Sequence, residues 1–241
     1  MKKFWGYASN GVFSVGCTGQ TVYLYDKDYN EIGKFKDIAY GYTPMISPDG
    51  KIFVVKSTEG RLAVYSLETR SLIKKFRFSK VDGSQDDGFC FSPDGKFFIN
   101  IERQKDDLHS AISVYNTFDF SLFKQIMLDD DMMLDYIEFD ENTDTYYVSG
   151  IIHNTDENSV CYFVAELKDL QIQNITAISE EEYDIYNGYK GLELMGFTEK
   201  KYEWGSILSY YYDYKLDEFK NMNLSLAKLF LSYNDSTKGE N

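Results

Sequence analysis

The sequence predicts an all-β fold, a single β-propeller of five four-stranded blades, with six blades or an incomplete ring as the alternatives. Three observations lead there. The tetrapeptide Ser-Pro-Asp-Gly occurs twice, at 47–50 and 92–95, a repeat of 45 residues that uses two of the chain's three prolines. A spacing of that size lies in the range of propeller blades. Around each copy the same order of short apolar runs and turns recurs. Aromatic residues are abundant, with 21 Tyr, 18 Phe and 2 Trp among 241 residues, and large rings suit the wedge-shaped space between stacked, twisted sheets.

The units follow in chain order. The first covers about 3–36, where Ser9-Asn10-Gly11 leads into VFSVGC, TVYLYD and EIGKF. The second, 43–78, reads PMI, the first SPDG, KIFVVKS, RLAVYS and SLIKKF. The turn chemistry is that of a type I turn: Ser bonds the backbone, Pro presets φ, and Gly tolerates positive φ. The third, 88–127, repeats the pattern as FCF, SPDG, KFFINIE, AISVYN and SLFKQI. Tyr25, Tyr65 and Tyr115 fall at the end of the third strand of each unit, and Phe35, Phe76 and Ile126 in the fourth. The fourth unit, 134–178, is degenerate, with Asp140 to Asp144 replacing the proline turn. A fifth, 191–222, is weaker still, built from LELMGF, KYEW and SILSYYYDY. Residues 223–241 are expected to add a closing strand or a helix plus a tail, because Leu226, Leu229, Phe230 and Tyr233 have helix spacing within an apolar run. No linker-like stretch separates the units, so one domain over 1–241 is expected. The near-continuous apolar runs FVV, FFINI and VCYFVA fit strands covered on both faces, as in the middle of a blade.

The SPDGK turns at 47–51 and 92–96, with the Tyr-Asp or Tyr-Ser pair closing the third strand, resemble the WD-repeat and YVTN-type β-propeller superfamily over about residues 3–220. The WD dipeptide has counterparts only in Tyr25-Asp26 and, more loosely, Tyr212-Asp213, and the Gly-His dipeptide is absent. The hydrogen-bond tetrad of true WD repeats is therefore not implied, and a divergent bacterial-type propeller is the closer description. The resemblance implies a non-enzymatic scaffold that presents loops to protein partners.

Motif content agrees with that expectation. No GxSxG, HExxH, GxxxxGK[ST] or GxGxxG occurs, and two histidines leave little for a triad or a His-rich metal site. Cys17, Cys90 and Cys161 are odd in number and far apart, and they read as small core residues. Asp26, Asp28, Asn30 and Asp37 echo a calcium loop, but Glu31 stands where the sharp turn needs Gly, so a hairpin is expected. No cofactor or metal is called for. Met1-Lys2-Lys3 opens like a signal peptide, but the stretch after it is broken by Ser, Asn and Gly. No apolar run approaches the ~18 residues of a membrane span, and a cytoplasmic protein is expected. The formal charge of −14 argues against nucleic acid and anionic membranes as partners.

Charge is also unevenly placed. Residues 1–127 carry a net +2 and residues 128–241 a net −16. In a propeller, the connections between blades share one end of the ring with the b–c loops. That end sums to −14, against about −8 for the other. The candidate partner-binding residues are therefore Tyr40, Tyr42, Asp86, Asp87, Asp129, Asp130, Asp131, Glu180, Glu181, Glu182, Tyr183 and Asp184, an acidic face for a basic protein partner with tyrosines as amphipathic contacts. The plainer reading is that these acids keep a Tyr-rich protein soluble. A carbohydrate-active enzyme or sugar-binding protein is the alternative. It requires paired carboxylates on innermost strands, for which Asp135, Glu138 and Glu193 are the candidates, or exposed platforms from Trp5 and Trp204.

Overall fold

The computed structural model describes residues 3–4, 6–79, 88–104, 110–129, 131–180, 182–183, 199–204, 207–212 and 234. Within these, the repeat predicted from sequence becomes four antiparallel four-stranded sheets. After a two-residue β1 (Lys3–Phe4), blade 1 is β2 (Gly6–Ser9), β3 (Ser14–Cys17), β4 (Val22–Tyr25) and β5 (Glu31–Phe35). Blade 2 is β6 (Gly41–Ile46), β7 (Ile52–Ser57), β8 (Arg61–Ser66) and β9 (Ser71–Arg77). Blade 3 is β10 (Phe89–Phe91), β11 (Phe97–Arg103), β12 (Ser110–Asn116) and β13 (Leu122–Met127). Blade 4 is β14 (Met132–Asp140), β15 (Thr145–Asn154), β16 (Ser159–Lys168) and β17 (Gln171–Ile178). In every blade the spatial order follows the chain order; the four positions are called a to d.

A fifth sheet has three described strands. β18 (Glu199–Trp204) and β19 (Ile207–Tyr212) form an antiparallel hairpin, and β1 pairs with β19 in parallel, Lys3 opposite Leu208. The first strand of the chain thus meets the last described one. The rest of the expected fifth unit, at 191–198 and 213–222, and Trp5 lie outside the described residues, as does the expected closing element at 223–241 apart from Asn234.

The SPDG turns form the a–b hairpins of blades 2 and 3. Ser47 O accepts from Gly50 N at 2.9 Å and Ser92 O from Gly95 N at 2.8 Å, with the glycines at φ +66° and +69°. A side chain would be strained there. Each Ser Oγ donates to the Asp Oδ1 two residues on, at 2.7 Å in both turns, and that Oδ1 accepts the next Lys N–H at 3.1 Å in both. The degenerate units replace this with Asx chemistry. Asn10 Oδ1 accepts from Val12 and Phe13 N–H in blade 1 at 3.0 and 2.8 Å, and Asp140 Oδ1 accepts from Asn142 N–H in blade 4 at 3.0 Å.

Alternation along strands b and c distributes each blade between two neighbours. Phe53, Val55, Ala63 and Tyr65 pack with Val15, Cys17 and Leu24 of blade 1. Val54, Leu62 and Val64 pack with Phe89, Phe98 and Tyr115 of blade 3. Ile99, Ile101, Ile112 and Val114 pack with Val148, Phe163 and Ala165 of blade 4. Both faces are therefore dry, which is why these strands read as continuous apolar runs. Burying each such side chain contributes about 1.5–3 kcal/mol.

Strand d carries a device invisible in the sequence. Leu24 faces Gly33, but the next residue, Tyr25, faces Glu31, leaving Ile32 extra. The same shift follows Val64 and Val114, with Ile73 and Phe123 extra, and β17 opposes Asn174 and Ile175 to the single Ala165. All four blades thus bulge on the d strand at about the same register.

Candidate functional site

Blade topology sends the a–b and c–d turns to one end of the ring, here called the turn end. The interblade connections and b–c loops occupy the connector end. At the turn end some acids close turns: Asp26 Oδ1 accepts from Asp28 and Asn30 N–H, both at 2.9 Å, Asp119 Oδ1 accepts from Ser121 N–H at 2.9 Å, and Asp49, Asp94 and Asp140 hold their hairpins as described; Asp28, Glu68, Glu141, Asp144 and Asp169 are exposed there, with no carboxylate hydrogen bond or ion pair among the described residues. Hydrogen bonds to a carboxylate favour its charged form. The Asn30 backbone holds Asp26 below its usual range, the Ser47 hydroxyl does so for Asp49, and Ser121 for Asp119. Lys96, Ser92 and the Lys96 N–H together lower Asp94 to about 2. Because the folded value lies below the unfolded one, the stabilisation from Asp94 is present above about pH 4 and is lost as pH falls through about 2. A carbon-detected NMR titration is expected to give an Asp94 midpoint near 2; a midpoint at the unperturbed value of about 3.9 would contradict the turn geometry.

At the connector end, around blade 4, the acids stand open. Asp129 and Asp131 precede β14, Asp156 and Glu157 form the b–c loop, and Glu180 follows β17; all five are exposed, and their carboxylates make no hydrogen bond or ion pair among the described residues. Strand pairing gathers four of them. His153 N donates to Asp131 O at 2.8 Å, and Met132 lies opposite Ile152, so the 129–131 segment sits beside the loop that begins after Asn154.

The other residues singled out in the sequence are placed differently. Glu182 belongs to a capping box: its Oε2 accepts from Ser179 N at 2.9 Å and Oγ at 2.7 Å, while Ser179 Oγ accepts from Glu182 N at 3.2 Å. Tyr183 is interior, 7% exposed, packed with Tyr147, Val164 and Ile178, its hydroxyl donating to Asp135 Oδ2. Tyr40 is 51% exposed at φ +52°. Tyr42 lies inside β6 as the bulged residue between Gly41 and Thr43, its ring against Gly19. Asp86, Asp87, Asp130, Glu181 and Asp184 lie outside the described residues. Of the cysteines, Cys17 and Cys90 are buried as expected, whereas Cys161 is exposed at the b–c loop end of β16, beyond the reach of the core. Burial pushes the Cys17 and Cys90 thiols well above the ordinary thiol range.

Two polar clusters between blades were not foreseen. Arg103, at the end of β11, pairs with Asp135 Oδ1 at 2.7 Å, and Asp135, the bulged residue of β14, also accepts the Tyr183 hydroxyl. The first carboxylate proposed for sugar chemistry is thus engaged in an ion pair, and Glu193 lies outside the described residues. The second cluster lies between blades 2 and 3. Glu102, 2% exposed, accepts from Tyr115 Oη at 2.7 Å, Asn100 Nδ2 at 3.1 Å and Gln125 Nε2 at 3.2 Å. Lys56, 1% exposed, donates to Ile101 O at 2.7 Å, with the Phe78 and Phe89 rings 5.3 and 5.8 Å from its ammonium. Burial raises the Glu102 carboxyl above its usual range, against the lowering effect of Tyr115, Asn100, Ser113 and Lys56. The available signal lay in the repeat. Asn100, Glu102 and Ser113 stand where blade 2 has Val55, Ser57 and Ala63.

Among the described residues no group of three His, Cys, Asp or Glu could hold a metal ion, and no helix is long and apolar enough to cross a membrane. No protein family and no curated protein matches the chain. Its fold is nevertheless that of solved β-propellers. It resembles hydrazine synthase of Kuenenia stuttgartiensis at 14% identity and a TM-score of 0.59, covering 77% of this chain and 56% of that one. It also resembles the WD40 domain of coronin from Toxoplasma gondii at 16% identity and a TM-score of 0.51, covering 72% and 45%. The chain thus spans about half the length of these structures.

Proposed function

We propose that the chain is a non-enzymatic protein-interaction module whose connector end, around blade 4, receives a basic protein partner. One observation carries this reading: Asp129, Asp131, Asp156, Glu157 and Glu180 stand exposed around the connector end of a single blade, four of them gathered by the β14–β15 pairing, with their charge uncompensated among the described residues. Uncompensated like charges on a rigid rim steer an oppositely charged partner and raise its association rate. Asp86, Asp87, Asp130, Glu181 and Asp184 extend the same face by their sequence positions, and Tyr40 and Tyr42 supply aromatic contacts at the blade 1–2 connection. The WD-repeat-like turns, and the coronin WD40 domain among similar structures, support a scaffold role. The net charge of −14 supports a protein partner over nucleic acid or anionic lipid, and a cytoplasmic setting accords with the sequence.

The test is affinity capture with wild type and with a variant carrying Asp129→Asn, Asp131→Asn, Asp156→Asn, Glu157→Gln and Glu180→Gln, each at low and high salt. A basic protein held by wild type, released by salt and retained at least about ten-fold less by the variant is expected. Equal retention by both baits would exclude this face.

A further inference from the structure

The a–b turn of blade 1 holds one of the chain's two Asn-Gly dipeptides, Asn10-Gly11; the other, Asn187-Gly188, lies outside the described residues. An asparagine followed by glycine reacts with its own main chain. The Gly nitrogen attacks Cγ of the Asn side chain, the Cγ–Nδ2 bond breaks, ammonia leaves with the Gly proton, and a five-membered succinimide closes. Water then opens the ring at either carbonyl. One opening gives aspartate. The other gives isoaspartate, whose main chain runs through the former side chain and is one methylene longer. Glycine favours the attack because no Cβ shields its nitrogen. The site is open here: Asn10 and Gly11 are exposed, and a Cβ at Gly11 would meet nothing within 4 Å. Among the described residues the Asn10 amide nitrogen makes no hydrogen bond, so the leaving group is unrestrained.

The closed turn opposes the step. Attack requires the Asn10 amide to swing until Cγ lies over the Gly11 nitrogen, aligned for reaction. The hairpin pins that amide: its Oδ1 accepts from Val12 N at 3.0 Å and Phe13 N at 2.8 Å. The Gly11 N–H is held as well, donating to Ser9 Oγ at 3.2 Å. Ser9 Oγ is itself fixed, donating to Phe13 O at 3.2 Å and accepting from Ser14 Oγ at 3.1 Å. These bonds close a single hairpin and are lost together when it opens. We propose that Asn10 is a self-modification site gated by the blade 1 a–b hairpin, so that its conversion to aspartate or isoaspartate counts the openings of that hairpin. The two products differ in consequence. Asp-Gly is the dipeptide that blades 2 and 3 carry in the same turn, at 49–50 and 94–95, and an aspartate oxygen accepts the same N–H groups. Isoaspartate inserts a main-chain atom between the paired Ser9 and Ser14, which destroys their register and keeps the hairpin open.

Ageing the full chain at neutral pH, folded and in urea, tests this. Peptide mapping with electron-transfer fragmentation follows residue 10, resolves aspartate from isoaspartate and separates position 10 from position 187. Conversion of Asn10 is expected to be at least about ten-fold slower in the folded chain than in urea. Ser9→Ala frees the Gly11 N–H and should speed the folded-state conversion several-fold while leaving the urea rate unchanged. Gly6→Ala strains β2 without touching the turn and should act in the same direction. Asn10→Asp should keep the wild-type circular dichroism and release no ammonia from this position. Equal rates in the folded and urea-unfolded chain, or a folded-state conversion that neither Ser9→Ala nor Gly6→Ala speeds, would overturn the proposal. Hydrogen exchange of the aged protein reads the second consequence. Isoaspartate-containing chains should lose protection at Phe13 and Ser14, and protection equal to that of fresh protein would show that the hairpin recloses around the longer main chain, against the proposal.

Discussion

Lys56→Met is expected to destabilise the fold by about 3 kcal/mol at neutral pH, because removing one partner leaves the other charge buried. Met fills nearly the same space, so the loss is electrostatic: the Ile101 carbonyl loses its donor and Glu102 loses the cation that helps keep it ionised. The pH dependence gives the sign. Burial lifts the folded pKa of Glu102 above its unfolded value of about 4.3, so Glu102 takes nothing from stability below that pH and costs progressively more as pH rises through the folded value. Losing Lys56 lifts the folded value further, so the gap between variant and wild type should widen from acid to neutral pH. Adding Glu102→Gln should restore most of the loss at neutral pH. Urea unfolding at several pH values measures this. A gap independent of pH would show that Lys56 acts through packing alone.

Gly6→Ala should cost about 3 kcal/mol, at the upper end for overpacking. A Cβ at Gly6 would lie 1.6 Å from the carbonyl oxygen of Tyr42 and 2.9 Å from Pro44 Cδ. Neither side can give easily: Gly6 is paired to Cys17 within blade 1, and Tyr42 is the bulged residue of β6, held by the flanking pairs to Ser57 and Lys56. The next such seam is built alike, since Gly88 N donates at 2.7 Å to the carbonyl of Asp135, the bulged residue of β14. Innermost strands of adjacent blades thus approach backbone to backbone. Chemical denaturation reads the effect; a Gly6→Ala variant within about 0.5 kcal/mol of wild type would mean that blades 1 and 2 stand further apart.

What could be read in advance was local chemistry that repeats. The SPDG turns announced two hairpins, the closing tyrosines marked the third strands, and apolar runs marked strands covered on both sides. The blade 3 interior was legible only by setting KFFINIE against KIFVVKS, where Asn100 and Glu102 replace Val55 and Ser57; within a single run they look like interruptions. Tyr183 was hidden by its context. In an acidic run it reads as a surface contact, yet the Tyr147, Val164 and Ile178 side chains shelter its ring and Asp135 satisfies its hydroxyl. Asp135 itself depends on a bulge, and a bulge is a matter of partner register, which one strand's sequence does not encode. The acidic loops could be counted but not sorted, because a carboxylate that closes a turn and one that faces solvent have the same letter.

The repeated bulge on strand d bears on how the molecule survives at high concentration. The outermost strand of a blade has no partner on its far side, and a flat, regular ladder there would be a template for another chain to add to, and ultimately for fibril growth. One extra residue per blade breaks the even spacing such an addition needs, and Lys34, Lys74, Lys75 and Lys124 place a charge on the same strands in three of the four blades. Open-ended sheet extension is thereby blocked at the rim, so copies that meet must do so through side chains, reversibly and one docking surface at a time.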